Sequence, residues 1–188
     1  MSSFTVAKVG GSLYDLPDLR YRLQKWAGAV GTHSLLIPGG GPAADVVRRL
    51  DATHGLSEDA SHWLAIRMLT VNAYFLATLL GVPIVGDLSG REVPLAVLDP
   101  FVFLTADEGR PGALGHRWAV TTDSIAARVA WVAHAELALL KSVELSPGVE
   151  WDEAARSGFV DPQFPNVVFA GRLRPSWINL RRPEFGSP

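Results

Sequence analysis

The chain is predicted to be an α/β protein: a three-layer α/β/α sandwich with a mainly parallel central sheet. Three observations carry the prediction. The runs FTVAKV (4–9), HSLLI (33–37) and ELALLK (136–141) are apolar nearly throughout rather than alternating, as in strands buried on both faces. Stretches with apolar residues at three-to-four spacing separate them, the order in which strands and covering helices alternate in a parallel sheet. Two of the runs stop at glycines, Gly10-Gly11 and Gly39-Gly40-Gly41, at the strand ends where such sheets hold their ligands.

Each element follows from local signals. After the strand at 4–9, Pro17 opens a helix to about Val30, with Leu16, Leu19, Leu23, Trp26, Ala27 and Val30 on one side. The strand at 33–37 is cut off by Pro38 and three glycines, and Pro42 suits the first turn of the next helix, ADVVRRLDA. Ser57 is the expected N-cap of a long helix to about Leu80, with Glu58 and Asp59 in its first turn and Gly81 just past its end. Short apolar runs at 82–86, 94–98 and 101–104 are bounded by Gly, Pro or Asp and predict strands. A polar, Gly-rich loop is expected over 105–118, then a helix from Thr121-Thr122-Asp123 to about Ala135 and the strand at 136–141. A short helix near 151–157, a strand at 166–170 and an irregular Arg/Pro tail complete the reading. At 188 residues the whole chain, 1–188, is expected to form a single domain.

Composition excludes several classes of function. With no cysteine there is no disulfide scaffold, iron–sulfur centre or thiol nucleophile. A net charge of −2, from 17 basic and 19 acidic residues, offers no field to gather nucleic acid. The N-terminus MSSFTVAKVGGSL lacks a basic segment followed by an apolar one, and no uninterrupted apolar run approaches the roughly 18 residues that span a bilayer. A cytoplasmic protein with neither a membrane nor a nucleic-acid partner is expected. At 48% hydrophobic and 19% charged, the chain is expected to contain much buried sheet and a subunit interface.

Of the 17 basic residues only Lys8, Lys25 and Lys141 are lysine. Lys8 and Lys141 both end predicted buried strands, where a solvated lysine is not the first expectation. Lys8-Val9-Gly10-Gly11-Ser12 reads either as a tight turn or as an anion cradle, in which bare backbone N–H groups close on a phosphate beside a compact positive charge. Pro38-Gly39-Gly40-Gly41 before a helix N-terminus has the same two readings. It also spells a relaxed dinucleotide fingerprint with Gly39, Gly41 and Ala44, but the acids about 20 residues on, Glu58-Asp59, open a helix instead of closing a strand. No G-x-x-x-x-G-K-[ST] occurs, which excludes a P-loop nucleotide site. Asp123, in Thr121-Thr122-Asp123-Ser124, is either a helix N-terminal acid or the carboxylate that holds two lysines in place. Two lysines around one carboxylate suit phosphoryl transfer, which is catalysed mainly by placing positive charge and N–H donors. The five histidines show no metal-ligand spacing. His62 beside Trp63 reads as a helix-face residue, nothing singles out His54, and no metal site is expected in the protein itself.

On these residues the sequence resembles the amino acid kinase family. The matching pieces are VAKVGGSL (6–13), LLIPGGGPAADVVR (35–48), WAVTTDSIAARVA (118–130) and LALLKSVE (137–144), in the family's order. The resemblance implies a sheet of about eight strands and ATP, with Mg²⁺ carried by the nucleotide. Among site residues it implies Lys8, Asp123 and Lys141 as catalytic, Gly10, Gly11, Ser12, Thr122 and Ser124 on nucleotide phosphates, and Gly39, Gly40 and Gly41 on the acceptor. It further implies a small-molecule substrate and a homo-oligomer. Residues 142–188 hold no lysine, so Lys141 stands alone for the second lysine that larger members carry further along.

Within the family the chain is similar to the short archaeal-type kinases of methanofuran biosynthesis, on the TTDSIA segment, the LLK strand end, SEDASHWLA (57–65) and VDPQFP (160–165). That implies transfer of the γ-phosphoryl of ATP to an existing phosphate, that of an aminomethylfuran. The alternatives are a carboxylate kinase forming an acyl phosphate and a non-catalytic binder. The acceptor pocket separates the first two. A phosphomonoester asks for further cations near Gly39–Gly41, with Arg48 and Arg67 as candidates, whereas an amino acid asks for a carboxylate to hold its ammonium group.

Overall fold

Six parallel strands lie in the order β3-β4-β2-β1-β5-β6, with β1 Phe4–Val9, β2 His33–Pro38, β3 Ile84–Val85, β4 Leu95–Leu98, β5 Glu136–Lys141 and β6 Ser176–Asn179. The structure is a computed structural model describing residues 4–186. Residues 1–3, part of the N-terminal stretch considered as a leader, and 187–188 of the tail lie outside it. The helices are α1 Leu19–Val30, α2 Gly41–His54, α3 Glu58–Leu80, α4 Pro100–Asp107, α5 Thr122–Ala133, α6 Trp151–Arg156 and α7 Phe164–Ala170.

The alternation of side chains along a strand divides the core in two. Val6, Leu35, Ile37, Leu137 and Leu139 face the layer containing α4, α5 and α7, while Ala7, Val9, Leu36, Ala138 and Leu140 face α1. The helix α3 serves both layers, with Ile66 and Leu69 in one and Ala73, Leu76 and Leu80 in the other. By length and composition α3 could cross a membrane; in this fold one side of it packs into the core, its Ser57 cap accepts the Ala60 N–H and its chain is ended by left-handed Gly81.

Four expectations require correction. Residues 101–104 form part of α4 rather than a strand, because Asp99 caps the Phe101 N–H and Pro100 occupies the first turn. Residues 166–170 lie in α7, with Pro165 in its first turn and the Asp161 carboxylate accepting the Gln163 and Phe164 N–H groups. The tail is not wholly irregular, since Ser176–Asn179 pairs with β5 as an edge strand. Among the described residues the sheet has six strands where about eight were expected.

Parity along the strands also positions the site. Lys8 is two residues beyond Val6, and Lys141 two beyond Leu139, so both ammonium groups emerge on the α5 face at the carboxyl edge of neighbouring strands. The N-terminus of α5 carries Asp123 to the same place.

Candidate active site

Lys8 and Lys141 converge on one carboxylate. Lys8 Nζ lies 2.9 Å and Lys141 Nζ 2.8 Å from the same Oδ1 of Asp123, and all three side chains are at most one-tenth exposed. Burial by itself would raise the Asp123 pKa, but the two lysines hold it below its ordinary value. For Lys141 burial dominates: desolvation and the neighbouring Lys8 bring its pKa down to about 8, against the pull of Asp123. Its ammonium group also donates to the Phe159 carbonyl at 2.7 Å and sits 5.1 Å from the Trp177 ring centre.

The two glycine loops interlock beside this cluster. A Cβ on Gly11 would stand 2.5 Å from the Gly41 Cα, and one on Gly39 would stand 2.5 Å from the Val9 carbonyl oxygen, so the close approach of the two backbones requires glycine at both positions. Gly41 adopts φ +51, which favours glycine independently. The carbonyls of the second loop are held from behind. Tyr14 donates its hydroxyl to the Gly39 carbonyl at 2.9 Å, and the Asn72 amide donates to those of Gly39 and Gly40 at 2.7 and 2.8 Å. Burial raises the Tyr14 pKa, which keeps the phenol a donor.

Two cavities meet at Lys8, Gly11 and Ser12. One, of about 180 Å³, is lined by Gly40, Gly41, Thr122 and the basic side chains of Arg48 and Arg117, with Ile66, Leu69 and Trp118 as apolar surface. Among the described residues no acidic side chain lines it. The other, of about 400 Å³, is bounded by Gly10, Asp123, Lys141, Ser142 and the Ser157–Phe159 turn. Ser12 and Ser142 join their hydroxyls across its mouth at 2.8 Å.

Several residues sit apart from their expected roles. Gly39 is buried behind the first cavity, and Thr122 faces that cavity rather than the one at Lys141. Ser124 is fully buried and reaches neither, because its N–H and hydroxyl are both given to Asp161. Arg67 stacks at 4.2 Å on Phe101 and lines neither cavity, whereas Arg48 does line the first.

Other functional side chains escaped the sequence reading. Asp161 also accepts the Thr121 N–H and hydroxyl, so one buried carboxylate caps α5 from a distant loop. Burial raises its pKa, and the Ser124 hydrogen bonds oppose the rise. Asn72 could have been recognised as a polar residue in the apolar stripe between Leu69 and Leu76. Arg117 and Trp118 lie in a stretch without periodicity and gave no such signal. His62 is buried against the first cavity and stacked on His116, and burial lowers its pKa.

The fold is shared with solved kinases. Uridylate kinase from Archaeoglobus fulgidus superposes with a TM-score of 0.64 at 17% identity, covering 95% of this chain and 90% of that one. Aspartate kinase from Synechocystis gives 0.66 at 14% identity, over 97% of this chain and 39% of that one. The chain has the amino acid kinase fold. UMP kinase from Ureaplasma parvum matches this fold too, with a TM-score of 0.64 at 12% identity, over 97% of this chain and 92% of the other.

No family model matches the sequence. A curated relative, the [5-(aminomethyl)furan-3-yl]methyl phosphate kinase of Methanocaldococcus jannaschii, is 32% identical over 126 residues, which cover 64% of this chain. The matched stretch spans little more than half of that relative, 56% of its length.

Proposed function

We propose that the protein is an ATP-dependent small-molecule kinase that transfers the γ-phosphoryl group to the phosphate of an acceptor. One observation carries the reading: Lys8, joined to Lys141 through Asp123, lines both of two adjoining cavities, one basic and with no acid among the described residues that line it, the other walled by the Gly10–Ser12 loop, Asp123 and Lys141. The lining of this cavity, with Arg117 and an Arg48 that is also paired with Asp45 at 2.6 Å, and with no acidic side chain among the described residues, suits a phosphate better than the ammonium group of an amino acid. The 32% identical relative, named for a furanmethyl phosphate, favours an aminomethylfuran phosphate as that acceptor.

In this mechanism the nucleotide phosphates lie against Gly10, Gly11, Ser12 and Lys141, and the acceptor phosphate against Gly40, Gly41, Arg48 and Arg117. An acceptor phosphate oxygen bonds to the γ-phosphorus as the bond to the β-phosphate oxygen breaks, giving a diphosphate and ADP. The phosphates are ionised, so no general base is needed. Lys8, between the cavities, meets the charge on the moving group, Lys141 the charge on the leaving side, and Asp123 holds both cations in place. Mg²⁺ would arrive bound to the nucleotide phosphates and would supply charge neutralisation there, beside Lys8 and Lys141.

We place the enzyme in the cytoplasm and assign the exposed Val71, Tyr74 and Phe75 of α3 to self-association, which light scattering on the purified protein measures. The activity is tested by a coupled ADP-release screen over furan, isoprenoid and nucleoside phosphates and amino acids. The account expects release with a phosphate acceptor; release with amino acids alone overturns it.

A further inference from the structure

The acceptor cavity has a flat wall as well as a basic end. Trp118 lines it, and the indole N–H donates to Asp51 Oδ2 on α2 at 2.7 Å, which fixes the plane of the ring. The Arg48 guanidinium, also paired with Asp45, stands 5.5 Å from the centre of the same ring, so the cationic and the aromatic parts of the cavity lie side by side.

The loop carrying Trp118 is tethered two residues earlier. His116 bridges Asp59 Oδ1 at 2.6 Å and Glu108 Oε1 at 2.9 Å, and its ring stacks on His62, with centres 5.1 Å apart. The indole is thus held from its N–H and through its loop. Further apolar lining comes from Ala65, Ile66 and Leu69 of α3, with Ala44, Val120 and Ile125 beside them. A cavity of about 180 Å³ has room for one small ring beside a phosphate.

We propose that Trp118 is the specificity-determining residue for the acceptor: it stacks on the planar, π-rich ring of an aromatic phosphomonoester, and Asp51 is the positioning residue that sets the indole plane. The proposal rests on the assignment of this cavity to the acceptor and names the ring chemistry the cavity selects. An acyclic phosphomonoester meets the same cations and gains little from the indole.

Binding of two probes by titration calorimetry, without nucleotide, tests this independently of turnover. The probes are an aminomethylfuran methyl phosphate and isopentenyl phosphate, which is acyclic. The Trp118→Leu variant is expected to weaken the furan phosphate about five- to tenfold, the scale of one lost aromatic pair, and to leave isopentenyl phosphate within about twofold. Trp118→Phe is expected to restore most of the furan affinity. Asp51→Ala is expected to raise the KM for the furan phosphate with kcat unchanged, and Asp51→Asn, which keeps an acceptor oxygen, to restore it. Equal losses for both probes in Trp118→Leu, or no loss for the furan, overturn the proposal, as does failure of the wild-type protein to bind the furan phosphate. Tight, Trp118-dependent binding of the furan phosphate without ADP release overturns the kinase reading alone.

Discussion

Lys8 and Lys141, on neighbouring strands, contact the same oxygen of Asp123, at 2.9 and 2.8 Å. Two buried cations sharing one anion leave an excess of positive charge at the junction of the cavities, an arrangement that is costly without a ligand and favourable once phosphates arrive. Removing the anion makes the cost visible. Asp123→Ala is expected to lower stability by about 3–5 kcal/mol in urea unfolding, the range for breaking a buried ion pair, and to abolish turnover. In that variant ATP is expected to raise the melting temperature more than in wild type, because the phosphates then neutralise two unpaired lysines; an equal or smaller rise counts against the assignment of the second cavity to the nucleotide.

The pH dependence follows from Lys141. Its pKa lies near 8 in the folded protein against 10.5 unperturbed, so kcat/KM for ATP is expected to fall as pH rises through about 8, where the free enzyme loses this cation. Stability moves the other way. Between about pH 8 and 10.5 the unfolded chain binds the proton that the folded chain has released, so this group makes stability rise with pH over that window. Lys141→Met is expected to remove both dependences, with a large loss in kcat. A change confined to KM would show that Lys141 binds without stabilising the transition state.

The interlocked loops predict a backbone effect. Gly11→Ala places a methyl group against Gly41, and the strain is expected to cost about 1–3 kcal/mol in thermal or chemical unfolding. Binding of both substrates is expected to weaken, since Gly11 borders both cavities. Gly28→Ala is the control: a Cβ there meets nothing within 4 Å.

Asp161 holds the helix that carries Asp123. Its carboxylate accepts N–H groups from Thr121, Ser124, Gln163 and Phe164, and the hydroxyls of Thr121 and Ser124. Asp161→Ala is expected to cost about 1–3 kcal/mol of stability, the penalty for buried donors left unpaired, and to lower kcat more than it raises the KM for ATP. Asp161→Asn, which keeps an acceptor, is expected to recover part of both; the same kcat in both variants would separate this cap from the chemistry.

The parts of the fold with a local signal were legible in the sequence. The largely apolar strands at 4–9 and 136–141 and the capped 58–80 helix stand where periodicity and capping place them, and parity along β1 and β5 brings both lysines to Asp123. The errors fall where a local helix cap overrides a short apolar pattern. FVFL at 101–104 has no helical period of its own and follows Asp99 and Pro100 into α4; residues 166–170 become helical behind Asp161, whose carboxylate accepts the Gln163 and Phe164 N–H groups just before them. Tyr14 and Asn72 act by holding carbonyls of a loop far along the chain, a role that spacing does not reveal. Arg117 and Trp118 are brought to the cavity by a loop whose course depends on the His116 tether.

Lys8, poised on Asp123 between the cavities, is proposed to drive phosphoryl transfer onto a phosphate acceptor. Phosphorus NMR of the protein with MgATP and an aminomethylfuran methyl phosphate, run beside Lys8→Ala, follows both the product and this role. The account predicts ADP and a new diphosphate in equal amounts with the wild type, and a rate reduced about 100- to 1,000-fold or more in the variant, the scale for losing one donor to the transition state. Diphosphate formed at an unchanged rate by Lys8→Ala, or ADP released with inorganic phosphate and no diphosphate, would contradict it.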